Sequence, residues 1–238
     1  IDADGRRQIK VGPARIFPGP YDRFLTAGSR NRIYNAFEML PQRALWWPAQ
    51  QMLLISDLHL GKAHSFRRMG VPVPAGSGQA SLQVLSELVQ TWRPRELVCL
   101  GDLFHSAHAH DSAPAGLLRR WRAAHAGLAL TLVRGNHDDR AGDPPPDLDI
   151  RLVDEPWPIS PFALCHHPRP IEGGYVLAGH LHPCVSLGGR ARDRLRLPCF
   201  HCTGSVGVLP AFGAFAGMRP IRPGAGDRVF VVAPDSVR

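Results

Sequence analysis

Carboxylates, imidazoles and one amide recur in this chain at spacings that suit metal-assisted hydrolysis. Asp57 and His59 stand two residues apart, Asp102 follows Gly101, and Asn136, His137 and Asp138 follow Gly135. Further on come His166-His167 and then Gly179-His180-Leu181-His182. An oxygen and a nitrogen donor at i and i+2 can converge on one ion from a turn, and mixed ligation suits manganese, iron or zinc better than magnesium. Asp-x-His alone is weak evidence. Together, Asp57, His59, Asp102, Asn136, His166, His180 and His182 supply carboxylate, amide and imidazole donors for two adjacent sites, with one carboxylate bridging. Two ions about 3.5–4 Å apart can clamp a phosphate and make hydroxide from a shared water. His137, beside Asn136, is then free to contact the phosphate or to protonate the leaving oxygen.

Such donors need short buried strands to deliver them. Met52 to Ile55 is a continuous apolar run, as expected of a strand buried on both faces, and Asp57 and His59 lie just past its end. Glu96 to Leu100 and Leu128 to Val133 read the same way, ending in Gly101-Asp102 and in Arg134-Gly135-Asn136-His137-Asp138. Between them, Ser77 to Trp92 carries Leu82, Leu85, Leu88, Val89 and Trp92 on one helical face, and Pro114 to His125 carries Leu117, Leu118 and Trp121. Repeated βα units place the polar strand ends on one edge of one sheet, where an open α/β sheet binds its ligand. Arg43 to Trp47 reads as a further strand, forming a hairpin at the sheet edge. The stretch Ala63 to Pro74 reads as a loop.

Beyond Asp143 to Asp147 the pattern changes to short strands without clear helices. Ile159 to Cys165, Tyr175 to Ala178, Val185 to Leu187, Arg192 to Leu197 and Val229 to Ala233 are expected to form a second sheet packed on the first. Residues 1 to 42 are expected to be an irregular lead-in, and residues 43 to 238 a single domain.

The 238 residues carry a net charge of +8 with 44% hydrophobic content, enough for a proper core and suited to a polyanionic partner. No apolar run approaches the roughly 18 residues of a membrane span, and the first residues do not read as a signal peptide, so a cytoplasmic protein is expected. Five cysteines are an odd number, which argues against a disulfide framework. Cys199 and Cys202 form a lone C-x-x-C with no second pair to complete a zinc site, and Cys99 and Cys165 lie in apolar runs. Of the twelve histidines, His64, His108, His110, His125 and His201 read as structural or surface residues.

The order D-x-H, G-D, G-N-H-D, H and G-H-x-H from Met52 to His182 resembles the calcineurin-like metallophosphoesterase superfamily. That resemblance implies an α/β fold, a two-sheet sandwich flanked by helices. It implies that Asp57, His59, Asp102 and His182 hold one metal while Asp102, Asn136, His166 and His180 hold the other, with His137 as general acid. From Arg43 to the C-terminus, the runs RALWWPAQQMLLISDLHLGKAHSFRRMGVPVP, GDLFHS and LPAFGAFAG resemble the bacterial ligase-associated DNA-damage-response metallophosphoesterases. These imply a manganese-dependent phosphodiesterase or DNA endonuclease in repair, with iron or zinc as alternatives. Implied partners are DNA, a DNA ligase, a helicase and an exonuclease-like protein.

Two departures matter. Many members carry an acidic residue three positions after the bridging aspartate, where this chain has His105. The fourth motif is Cys-His-His-Pro, so either His166 or His167 can be the ligand; His166, directly after the strand, is preferred. Lys62, Arg67 and Arg68 follow the first motif and are candidate substrate contacts. Arg190, Arg192, Arg194 and Arg196 alternate, as either a phosphate-contacting stripe or a charged edge strand. Leu209 to Gly213 reads as a packed turn beside the site. The expected reaction is phosphodiester hydrolysis by a metal-bridging hydroxide. The alternatives are a phosphatase or small-molecule phosphodiesterase, and a metal-containing scaffold without turnover.

Overall fold

Alternate residues of each central strand feed two different cores. In the computed structural model, which describes residues 37–107, 113–188, 194–233 and 236–237, Leu53 and Ile55 face a cluster of helix side chains. Met52 and Leu54, from the same strand, face a second sheet. This is the period-2 division that a strand buried on both faces requires. Its neighbours repeat it, with Leu97 and Cys99 against the helices and Val98 and Leu100 against the sheet.

The first sheet runs β1 (Glu38–Leu40), β2 (Ala44–Trp47), β3 (Met52–Ile55), β4 (Glu96–Leu100), β5 (Ala129–Val133) and β6 (Ile150–Val153), in that order. Strands β3 to β6 are parallel, and β1 and β2 extend the sheet antiparallel. The helices α1 (Lys62–Arg68), α2 (Ser77–Trp92), α3 (Ala113–Ala124) and α4 (Asn136–Ala141) lie in the connections. Leu82, Leu85 and Leu88 of α2 and Leu118 and Trp121 of α3 cover one face of the sheet.

The other face packs on a nine-stranded sheet. Its strands are β7 (Trp157–Ile159), β8 (Phe162–Leu164), β9 (Tyr175–Ala178), β10 (Pro183–Gly188), β11 (Arg194–Cys202), β12 (Val206–Val208), β13 (Arg219–Pro220), β14 (Arg228–Ala233) and β15 (Ser236–Val237). Strands β8, β9 and β12 are parallel neighbours, and β14 pairs with β11. Phe162, Leu164, Leu177, Phe200 and Val232 meet Leu54, Val98 and Val133 in the inter-sheet core.

Several expectations are corrected. The hairpin of β2 and β3 is not the sheet edge, because β1 pairs outside it, and β1 falls within the stretch expected to be an irregular lead-in. Phe37, also in that stretch, is buried against Trp47 and Phe162 with ring centroids 4.8 Å away in each case. The expected loop after Lys62 begins with α1, which buries Ala63 and stops before Gly70 and Pro72. Ile159 to Cys165 is two strands joined by a turn, with β7 antiparallel to β8. All five cysteines are buried and free, as a packed apolar role requires. His108, His110, Arg190, Arg192 and the side chain of Arg194 lie outside the described residues. No helix among the described residues is long and apolar enough to cross a membrane.

Candidate metal centre

Parallel strands end together, and here two sheets end at one edge. Asp57 and His59 follow β3, Asp102 follows β4 and Asn136 opens α4 after β5. His166 follows β8, and His180 and His182 follow β9. The loops are stitched to each other by backbone bonds. Asp57 N–H donates to Gly101 O at 3.1 Å, His59 N–H to Asp102 O at 2.9 Å and Gly179 N–H to His166 O at 3.1 Å. The turn at Leu209 to Gly213 closes over the first loop, with Phe212 N–H on Ser56 O at 2.8 Å and Gly213 N–H on Asp57 O at 3.2 Å.

The side chains converge into two groups that share Asp102. In the first, His182 Nε2 is 3.2 Å from Asp57 Oδ1 and 3.2 Å from His59 Nε2, and His59 Nε2 is 3.7 Å from Asp102 Oδ2. In the second, His166 Nε2 is 3.0 Å from Asn136 Oδ1, 3.0 Å from His180 Nδ1 and 3.5 Å from Asp102 Oδ1. The two oxygens of Asp102 thus face different groups, as a bridging carboxylate must. Asp57, Asp102 and His166 are also within 4.8 Å of one another through their ligand atoms. Every sequence-derived donor is therefore in one cluster.

Its electrostatics suit cations. Asp57, His59, Asp102 and His166 are all buried. Burial pushes His59 down to about 2, so its ring is neutral at working pH. Burial also lowers His180, with the neighbouring His166 and His167 adding to the effect. His59 Nδ1 is buried without a hydrogen-bond partner among the described residues, while two outward nitrogens are engaged by carbonyls, His166 Nδ1–H donating to Leu100 O at 2.9 Å and His182 Nδ1–H to Gly217 O at 3.1 Å. That tautomer leaves each Nε2 with a lone pair toward the cluster. The facing nitrogens of His59 and His182, and of His166 and His180, lie 3.0–3.2 Å apart, where each pair can share a proton or turn both lone pairs to a cation. The donor set therefore fits two divalent ions.

The backbone is shaped around this cluster. Asp57, His59, Asp102, His180 and His182 have φ of 54°, 47°, 55°, 70° and 48°, all in the left-handed region that non-glycine residues rarely occupy. Gly101, at φ 82°, leaves room for the His166 ring, which a β-carbon there would strike. A β-carbon on Gly179 would lie 2.6 Å from Asp57 Oδ2.

His137 sits at the rim. Its N–H donates to Asp102 Oδ1 at 2.9 Å and its Nδ1–H to the His105 carbonyl at 3.0 Å. Its ring stacks on His105, with centroids 4.9 Å apart. His105, three residues after Asp102, thus meets His137 through both its carbonyl and its ring. Lys62, at the start of α1, is half-buried; burial lowers it, opposed by the charges of Asp57 and Asp102. Arg67 donates to the carbonyls of Val73 at 3.4 Å and Pro74 at 3.1 Å, so its guanidinium ties down the following loop. Arg68 is exposed. A cavity of about 170 Å³ lies beside the cluster, with His59, Lys62, His64, Arg67 and Phe215 in its walls.

His166 is the one whose Nε2 meets Asn136, His180 and Asp102; His167 has its Nδ1 2.6 Å from Glu155 Oε1, and a ligand atom of it also lies within 4.8 Å of those of His166 and His180. Sequence reasoning missed two carboxylates. Asp138 accepts the N–H groups of Asp102 at 2.7 Å, Leu103 at 3.0 Å and Gly135 at 3.0 Å, binding the loop after β4 to that after β5. Burial pushes it up to about 6 against those donors. Its place in the Gly-Asn-His-Asp run was the available signal. Glu155 lies outside every motif, and nothing in its local sequence marks it.

The calcineurin-like phosphoesterase family model matches residues 51–194, and the chain belongs to that family. It is a metal-dependent phosphoesterase, a hydrolase on a two-sheet α/β fold. Among solved structures it is similar to the Pseudomonas putida nuclease MPE, at 41% identity over 82% of this chain and 92% of that one, with a TM-score of 0.74. It also overlaps Yfce, a phosphoesterase from E. coli, at 16% identity over 78% of this chain and 90% of that one, but a TM-score of 0.38 is too low to carry an inference. The search of curated proteins found no match.

Proposed function

We propose that this protein is a phosphodiesterase with a binuclear metal centre, acting on DNA as an endonuclease in repair. The observation that carries it is the sharing of Asp102 between two donor groups that together use every sequence-derived ligand. Asp57, His59, Asp102 and His182 would hold one ion; Asp102, Asn136, His166 and His180 would hold the other. Bound there, two divalent ions, manganese in the first instance, supply Lewis acidity toward the phosphoryl oxygens and a lowered pKa for the attacking water. The chain's own groups do the rest. His137, its Nδ1–H fixed on the His105 carbonyl, would act as the imidazolium, passing its Nε2 proton to the leaving oxygen and becoming neutral. Lys62 offers an ammonium to a non-bridging phosphate oxygen beside Asp57 and Asp102.

The DNA substrate is supported by the likeness to a nuclease at 41% identity and by the net charge of +8. A repair ligase, a helicase and an exonuclease-like protein are the partners the family resemblance suggests.

Metal-stripped protein, supplied with manganese, should hydrolyse bis-p-nitrophenyl phosphate faster than the monoester, and His59→Ala should abolish this. It should nick DNA, with binding that falls steeply as salt rises. Monoester preference with little salt dependence would replace this reading with a phosphatase. Two bound metals with no turnover of either ester would replace it with a scaffold. Metal analysis of the purified protein, for manganese against iron and zinc, decides the native ions.

A further inference from the structure

The turn that presents His166 hangs from a carboxylate outside every motif. The β8 ladder closes with Cys165 N–H on Leu177 O at 2.9 Å, and the next two amide N–H groups have no strand acceptor. Glu155, in the connection between β6 and β7, receives both: its Oε2 accepts His166 N–H at 2.6 Å and His167 N–H at 2.8 Å. Its Oε1 accepts His167 Nδ1–H at 2.6 Å and Arg169 Nη2–H at 3.3 Å. We propose that Glu155 is a positioning residue for the metal centre, holding His166 in its ligand pose and so setting affinity at one of the two ions. This rests on His166 being a ligand.

Two constraints act on the His166 residue from opposite ends. Glu155 fixes its backbone amide, and the Leu100 carbonyl fixes its ring through Nδ1–H. Between them the ring has one placement, with Nε2 3.0 Å from Asn136 Oδ1 and 3.0 Å from His180 Nδ1. Charge-assisted bonds from a carboxylate to backbone N–H groups are about twice as strong as neutral ones. The same carboxylate holds the His167 ring against His180, with centroids 4.6 Å apart. Partners that orient a metal ligand from behind typically change affinity or activity by about 10–100-fold when removed.

Glu155→Gln tests this, because it removes the charge that strengthens both backbone bonds. The full chain, stripped of metal, is titrated calorimetrically with manganese chloride beside wild type, Glu155→Asp, Arg169→Ala and His166→Ala. Glu155→Gln is expected to weaken one of two manganese equivalents by about 10–100-fold. Saturating manganese should restore its diesterase kcat, with KM unchanged. Glu155→Asp keeps the charge on a shorter arm and should fall between. Arg169→Ala removes only an exposed contact and should bind as wild type. Wild-type affinity in Glu155→Gln, with one equivalent lost in His166→Ala, overturns the proposal and leaves His166 as a ligand. Activity lost with both affinities intact also overturns it. Wild-type binding by His166→Ala overturns the ligand reading and this inference with it. If Glu155→Gln fails to fold, Glu155→Asp decides, and wild-type affinity there counts against the proposal.

Discussion

Gly101→Ala should disable the metal centre while adding only one methyl group. Gly101 has a φ of 82°, and its missing side chain is the space the His166 ring fills. An alanine meets two costs there. Holding an L-residue in the left-handed region costs roughly 1–2 kcal/mol. Forcing a β-carbon into a fully buried ring costs typically about 1–3 kcal/mol more. The sum, roughly 2–5 kcal/mol, is a large share of the roughly 5–15 kcal/mol that holds a domain folded. At about 2–4 °C per kcal/mol for a chain of this size, the melting temperature should fall by roughly 4–20 °C. The functional loss should exceed the stability loss. His166 is pinned by Leu100 O at Nδ1, so relief of the clash must move Nε2 away from Asn136 and His180. Differential scanning calorimetry of the metal-free protein gives the first quantity, and manganese titration at a temperature well below the melt gives the second. A variant that melts within a degree of wild type and takes up both ions with wild-type affinity would refute the steric reasoning. A destabilised variant with an intact second ion would show that the ring yields by some other route.

Two further outcomes test the packing and the outlying charges. Leu54→Ala, fully buried between the sheets, should lose about 2–5 kcal/mol in urea denaturation, while diesterase turnover well below the melt changes less than tenfold. A loss under 1 kcal/mol would mean that the inter-sheet core is not closed around β3. The second outcome is a pH dependence away from the metal centre. Burial tends to raise Asp227, but the His201 ring 2.8 Å away and the Gly224 N–H hold it below the usual carboxylate range. A depressed folded value stabilises the protein above the unfolded pKa of about 3.9, and the contribution disappears as pH falls through the folded value. Asp227→Asn should therefore cost about 1 kcal/mol at pH 7 and less at pH 3, below the unfolded pKa. An equal cost at both pH values would place the effect in the hydrogen-bond geometry and not in the charge.

Much of the site was legible because ligand chemistry is written in residue types. Apolar runs ending in Asp57, Asp102 and Asn136 declared both the strands and the edge at which they stop, and α2 followed from its leucine face. What stayed hidden depends on distance in the chain. Glu38 to Leu40 forms a strand only because Ala44 to Trp46 lies beside it, so three residues without a clear alternation looked irregular. Lys62 to Arg68 has too few apolar residues to announce a helix, but Ala63 packs inward and Phe66 meets Phe215 with ring centroids 5.7 Å apart. Arg67 looked like a substrate contact from its place in sequence, and the carbonyls it binds six and seven residues on were not visible there. Glu155 reaches 11 and 12 residues along the chain to His166 and His167, across a hairpin no local pattern encodes.

Five proposed ligands in the left-handed region could not have been foreseen from residue type, and they bear on how the site is held. Each such residue costs on the order of 1–3 kcal/mol, and these conformations persist only where the surroundings over-determine them. The surroundings do so here by three means. Backbone bonds join the Asp57 loop to Gly101 and Asp102; the turn at Leu209 to Gly213 closes over Ser56 and Asp57; Asp138 and Glu155 take the amide donors that turning frees. Aspartate and histidine are among the non-glycine residues that tolerate a positive φ best, so the residue types that ligate metal are also those that these tight turns admit. Strain and ligation thus select the same side chains. The Asp57 loop carries positive φ at Asp57 and at His59, and it is held from both sides by Gly101 and by Gly213. Its geometry is therefore held by backbone bonds of the fold on both sides.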